Sequence, residues 1–222
     1  MKTENSVFIF SETEKQLFHC GRDSQFDTVT AKVIETEMQF RKNHTVLRIH
    51  QLSQEGLEYF VSHYGSTYRV IYLANCTKIK DFSPLGDLAG LEALCIEQCR
   101  GVSDLWDLSK NQNLKILSIR AAKRITQNPH QLQLSKSLEE IRFWNEGIDR
   151  KYKMDSLSCF SGIQSLRRID LNGIALNRHN LGVLNTLPNL EEFHFDAHML
   201  KAEEIRWIRS NYPNLHGQNL DA

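Results

Sequence analysis

The chain has 222 residues in which 27 Lys and Arg balance 27 Asp and Glu, so its formal net charge is zero. That balance removes the electrostatic footprint of a general nucleic-acid binder or a basic membrane-surface protein, and it favours a protein partner. No stretch reaches the roughly 18 apolar residues of a membrane span, and five cysteines without a paired framework favour reduced thiols and a cytoplasmic setting.

Residues 1–43 read as an N-terminal cap, with strand-like runs at Val7–Phe10 and Thr28–Ile34 and a half-alternating stretch at Glu37–Phe40. The first of these is shorter than the about 7–15 apolar residues of a secretory core, so no leader is expected. From residue 44 a different pattern takes over. Segments of the form L-x-x-L-x-L open at His44, Tyr68, Leu91, Leu114, Leu138, Leu166 and Leu190, at spacings of 24, 23, 23, 24, 28 and 24 residues, and a partial copy begins at Leu215. Each opening is followed by apolar residues at the fourth position (Leu47, Ile71, Leu94, Leu117, Ile141, Ile169, Phe193) and the sixth (Ile49, Leu73, Ile96, Ile119, Phe143, Leu171, Phe195). Alternation inside the kernel predicts a short strand with one buried face, and a period near two dozen residues predicts a stack of units sharing one core. The segments after each strand carry apolar residues at helix-like intervals, among them Phe82, Leu85 and Leu88, then Leu181, Leu184 and Leu187. A C-terminal helix is expected over 202–212, placing Ile205, Trp207 and Ile208 on the last unit, with Pro213 as its stop and 216–222 as a loose tail.

On these residues the stretch 44–215 resembles a leucine-rich repeat domain of about seven repeats. The run Ile79–Leu94 is similar to the bacterial internalin type of arc, and Cys76-Thr-Lys-Ile79 and Cys99-Arg-Gly-Val102 are similar to a cysteine-containing subtype. The resemblance implies an α/β solenoid with a curved parallel sheet on the concave side, helical or irregular convex arcs, and a protein-binding role.

The third, fifth and seventh kernel positions are expected to point into the concavity. They carry four arginines against five carboxylates (Glu97, Glu140, Asp170, Glu192, Asp196), with an apolar patch of Val70, Ala74, Ala93 and Ile116 in the N-terminal half. Candidate partner-binding residues on this face are Arg48, Tyr72, Glu97, Arg120, Arg142, Trp144, Asp170, Asn172, His194 and Asp196. Tyr72, Arg120, Arg142 and Trp144 are the types most enriched among interface hot spots. Repeat five is longer than its neighbours; the excess at 147–155 predicts a rim loop whose tip would add Arg150 and Tyr152.

No G-x-S-x-G, phosphate-binding loop, H-E-x-x-H or dinucleotide fingerprint occurs, so neither catalysis nor a cofactor is expected. Cys159 reads as core filler rather than a nucleophile. His194 and Asp196 share the outward face but His198 sits at the turn position, and Cys95 points outward while Cys99 points in, so no metal site is expected. The expected function is a monomeric, cytoplasmic, non-enzymatic module that binds a protein, either as an immunity or antitoxin-like protein occluding a toxin or as an exported virulence effector acting on a host protein. Neither nucleic acid nor membrane is expected as a partner.

Overall fold

The computed structural model describes residues 18–20, 28–38, 46–145 and 152–221. Its spine is an eight-stranded sheet in which every pairing is parallel: β1 (Phe18–Cys20), β2 (Val46–His50), β3 (Val70–Ala74), β4 (Ala93–Glu97), β5 (Ile116–Arg120), β6 (Glu140–Trp144), β8 (Arg168–Asn172) and β10 (Glu192–Phe195). Two further strands, β7 (Tyr152–Met154) and β9 (Ile174–Leu176), pair with each other in a second parallel sheet. Neighbouring strands of the spine are in strict register, so residues at the same kernel position form columns across the sheet: Leu47 faces Ile71, which faces Leu94, and so to Phe193.

Two of those columns are the core. The fourth- and sixth-position side chains from Leu47 to Phe195 are all almost fully buried, as period-two alternation requires. No single unit could cover its apolar stripe, and each column is closed only by the repeats on either side of it.

The chain leaves each strand by the same device. Gln51, Asn75, Gln98 and Ala121, the first residues after β2 to β5, all have φ between 50° and 56°, and their N–H groups donate to the last carbonyl of the next strand. The equivalent position after β8 is Gly173, with φ of 69°; a Cβ there would lie 2.2 Å from the Asn145 carbonyl oxygen, so only glycine fits. Cys76 and Cys99 follow this turn. The Cys76 thiol lies 3.4 Å from the Ala74 carbonyl and 3.8 Å from that of Ile49 one repeat earlier, and its sulfur accepts the Leu52 N–H at 3.4 Å. Cys99 repeats the pattern against Glu97 and Leu73. These thiols therefore satisfy backbone groups between repeats as well as filling volume.

The convex arcs shorten after the first. The first is a full helix, α2 (Gln54–Tyr64), capped by Ser53 through the Gly56 N–H at 3.0 Å and burying Leu57 and Phe60. Later arcs are 3₁₀ turns, such as Ser83–Asp87 and Leu181–Thr186, with one short helix, α3 (Lys123–Gln127).

Four expectations change. Thr28–Ile34 is not a strand: α1 (Ala31–Met38) occupies most of it, because Ile34 and Met38, four apart, both reach the core. Only Val29 keeps an isolated parallel bridge, to Leu52. The stretch read as a cap also supplies β1, which extends the sheet by one strand. Val7–Phe10 lies outside the described residues. At the other end α4 (Ala202–Asn211) forms as expected and buries Ile208, yet Trp207 is 39% exposed, turned outward against Tyr212. Residues 216–221 are not loose. His216 bridges to Glu192, Leu220 is buried and its carbonyl accepts Arg209 Nε at 2.8 Å, so the partial eighth copy closes the edge of β10.

Candidate protein-binding face

The side of the sheet facing away from the core carries three columns: Val46, Val70, Ala93, Ile116, Glu140, Arg168 and Glu192; then Arg48, Tyr72, Cys95, Ser118, Arg142, Asp170 and His194; then His50, Ala74, Glu97, Arg120, Trp144 and Asn172, with Asp196 following β10. Its two halves are built differently. Over β2 to β5 the first column is apolar, and Val46, Val70, Ala93 and Ile116 form a cluster separate from the main core, with Tyr72 packed against it. Arg48 reaches over β3 to Glu97 on β4 at 3.0 Å and stacks over the Tyr72 ring at 6.0 Å. Arg120 stacks over Trp144 at 5.5 Å. Between these taller groups the floor is Ala93, Cys95 and Ser118, all small and all buried.

Over β6 to β10 the same columns hold a charge lattice. Arg168 is its hub: it lies 2.8 Å from Glu192, 3.6 Å from Glu140 and 3.9 Å from Asp170. Arg142 Nε pairs with Glu140, Asn172 donates to Asp170 at 2.6 Å, and His194 Nε2 meets Glu192 at 2.9 Å while its Nδ1 accepts the Gln218 N–H at 3.4 Å. Asp196 accepts the Gly173 N–H at 2.8 Å. Burial pushes the Asp170 carboxyl above its ordinary pKa, a rise opposed by His194, the Trp144 N–H, Arg168 and Arg142.

All ten candidate residues of the sheet face lie in these columns, but two are not open to solvent. Arg142 is 8% exposed and Asp170 4%: each has a charged partner two residues away on its own strand, Glu140 and Arg168, and Asp170 also interacts with Arg142 and Trp144 on β6 and His194 on β10. Arg48, Tyr72, Glu97, Arg120, Trp144, Asn172, His194 and Asp196 are half-buried. The rim loop is also redrawn. Arg150 lies outside the described residues, and Tyr152, expected at a loop tip, belongs to β7 and packs partly against the core beside buried Met154.

Sequence reasoning passed over the hub, Arg168, although Glu140 and Glu192 occupy its column on both sides. It also missed a rim ladder at the second kernel position, where Arg69, Glu92, Lys115, Glu139, Arg167 and Glu191 alternate in sign. Arg69 pairs with Glu92, Lys115 with Glu139 at 3.0 Å, and Arg167 with Glu191 at 2.7 Å. The signal was one residue after each opening.

No family model matches the chain, and no curated protein matches it. Among solved structures, a chain of a TLR13–ssRNA13 complex superposes with a TM-score of 0.58 at 18% identity, over 76% of this chain and 24% of that one. This chain has the leucine-rich repeat fold. It spans about a quarter of that TLR13 chain. Internalin C2 of Listeria monocytogenes matches at a TM-score of 0.44 and 19% identity, over 66% of this chain and 59% of the internalin.

Within this leucine-rich repeat, the thiols are placed for packing rather than reaction. Burial pushes Cys95 and Cys159 up to about 12, so both stay protonated near neutral pH. Cys159 sits beside Met154, its sulfur 3.9 Å from the thioether. Among the described residues no group of three or more His, Cys, Asp and Glu is arranged to hold a metal ion, and no helix is long and apolar enough to cross a membrane.

Proposed function

We propose that this leucine-rich repeat chain binds a protein partner through its concave wall. The observation that carries the reading is the pair of half-buried aromatic–arginine stacks, Arg48 over Tyr72 and Arg120 beside Trp144, supported from beneath by the buried second apolar cluster. Val46, Val70, Ala93, Ile116 and Tyr72 stand on the side of the sheet that does not serve the core, across four consecutive strands, beside aromatic–arginine stacks. The wall offers 20 strand positions and Asp196 after β10, comparable to the roughly 20–30 residues a side of a standard interface. The same wall suits nucleic acid poorly, notwithstanding the TLR13–ssRNA13 comparison: its four arginines stand against five carboxylates and the rim ladder alternates in sign, leaving no continuous track for phosphates.

The test is capture of partners from extract of the source cell by the full chain and by a Tyr72→Ala/Trp144→Ala variant of equal melting temperature. A protein retained by the first and lost by the second supports the reading; equal retention overturns it. The identity of that protein separates the narrower forms. A toxin whose activity falls on binding marks an immunity-type protein, and a host protein marks an exported effector.

A further inference from the structure

The wall is not equally open along its strands. Over β2 to β6 the first outward column, from Val46 to Glu140, is buried throughout, and the second opens only at Arg48 and Tyr72. The third is half-buried at His50, Glu97, Arg120 and Trp144, and the turn residues Gln51 and Asn75 that follow it are exposed. Access therefore lies at the C-terminal ends of these strands.

The two rims of the sheet also differ. Where the strands begin, the second kernel position alternates in sign and its charges pair with one another. Where the strands end, the tenth and eleventh positions of three successive repeats carry Lys78, Arg100, Lys123 and Arg124, all exposed, and Lys153 on β7 is exposed in the repeat that follows. These turns stack directly. A Cβ on Gly101 would lie 2.7 Å from the Thr77 carbonyl oxygen, and the Asp155 N–H donates to the Gln127 carbonyl at 3.1 Å. Among the described residues none of the five cations has a carboxylate partner; Lys78 donates to the Thr28 hydroxyl. The carboxylates of the same turns are engaged locally. Asp81 accepts the Ser83 N–H and hydroxyl at 2.8 and 2.7 Å, Asp104 accepts the Ser103 hydroxyl at 2.6 Å, and Asp155 pairs with Arg178.

Resting on the protein-binding reading above, we infer that the partner enters over this rim and lays an acidic segment of its chain along Lys78, Arg100, Lys123, Arg124 and Lys153. One rim is neutralised by its own ladder and the other is left basic, so the charge that answers it has to come from outside. The strip crosses three strand intervals, about 14 Å, which an extended segment covers in about four residues. It adjoins the half-buried Arg120 and Trp144, so one partner can touch both surfaces. Charge matched in this way speeds encounter and fixes register more than it adds affinity. Five cations with Asp81 and Asp104 among them fall short of the about 6–10 phosphate contacts of a nucleic-acid site.

The probe is fluorescein-labelled poly-L-glutamate, titrated against the full chain by fluorescence anisotropy at low and at physiological salt, beside a single-stranded oligodeoxythymidine of equal length. Poly-L-glutamate should bind, more weakly as salt rises, and should lose about tenfold in affinity to Arg100→Glu/Lys123→Glu. The control, Arg69→Glu/Lys115→Glu, makes the same change in net charge on the paired rim and should lose less than about twofold. Arg100→Gln/Lys123→Gln replaces the first variant if that one melts early, and should weaken binding in the same sense. No binding of poly-L-glutamate, equal losses on the two rims, or tighter binding of the oligodeoxythymidine would each overturn the inference. None of these variants alters Tyr72 or Trp144, so such a failure leaves the concave-wall reading to be judged by its own capture experiment.

Discussion

The N-terminal and C-terminal halves of the concave wall share one backbone plan, one register and one core, yet β2 to β5 present an apolar column where β6 to β10 present buried charge. The comparison shows how a repeat protein separates folding from recognition. The fourth and sixth positions are held apolar throughout, because each repeat must close its neighbour's core, while the third, fifth and seventh can change character within one strand step. Between Ile116 on β5 and Glu140 on β6, directly paired residues, the face changes from hydrocarbon to carboxylate without any break in the hydrogen-bond ladder.

The sharpest way to break the C-terminal half is Glu140→Ala. Glu140 is 3% exposed and faces both Arg142 and Arg168, so its loss leaves two poorly solvated guanidinium groups short of a counter-charge. Removing one partner of a buried pair costs about 3–5 kcal/mol, and urea unfolding should show a loss of that order. The matching disruption of the shared core is Leu117→Ala, at about 2–5 kcal/mol from lost burial and the cavity left behind. Its neighbour Ile116 tests the face itself. Ile116→Ala removes a similar side chain from the outward column, where Ile116 is 5% exposed, and should cost about 2 kcal/mol or somewhat more, at the low end of the range expected for Leu117. A loss for Ile116→Ala well below about 1 kcal/mol would mean that the outward cluster behaves as surface rather than as a second, smaller core.

The strands were legible because each is announced by its own kernel, and β2 to β6, β8 and β10 begin where the third position falls. β1 was not. It is in register with β2, Phe18 opposite Leu47 and Cys20 opposite Ile49, but the position that should open its kernel is Lys15, so the pattern has no apolar start to detect. Which face a concave residue occupies was also readable from alternation, whereas its exposure was not. Arg142 and Asp170 are buried among charged side chains of their own and neighbouring strands, and a one-dimensional period carries no information on how long neighbours fold over one another. Repeat five shows the same limit: the extra residues were evident from spacing, but the pairing of Tyr152–Met154 with Ile174–Leu176 depends on a segment one repeat away.

A smaller effect is expected at the turn after β8. Gly173→Ala forces a Cβ onto the Asn145 carbonyl at a positive φ, at a cost of about 1–3 kcal/mol, whereas Gly90→Ala, with open space around its Cβ position, should leave the melting temperature nearly unchanged. Asp170 adds a pH signature to the C-terminal half. Its carboxyl is raised in the folded state, so the native protein holds a proton that the unfolded chain releases, and stability should fall as pH rises from about 4 through the folded pKa. Asp170→Asn keeps an acceptor for the Asn172 amide and should flatten that slope in pH-dependent unfolding.

The weakest interactions separate surface charge from buried charge most cleanly. In the rim ladder Lys115 and Glu139 pair at 3.0 Å with side chains 58% and 40% exposed, so water screens their attraction and the pair contributes about 0.2–1 kcal/mol. Glu139→Lys places three cations, Lys115, the new lysine and Arg167, at successive rungs about 4.8 Å apart, and should destabilise by less than about 1 kcal/mol in dilute buffer. At 1 M salt the Debye length falls to about 3 Å, shorter than one rung, so that loss should vanish. The loss from Glu140→Ala should persist, because the lattice around Arg168 is largely sheltered from mobile ions. Measuring both variants at low and high salt therefore tests whether the charged half is an interior built on an open face or an extension of the rim: a Glu140→Ala effect that disappears with salt would assign it to the rim.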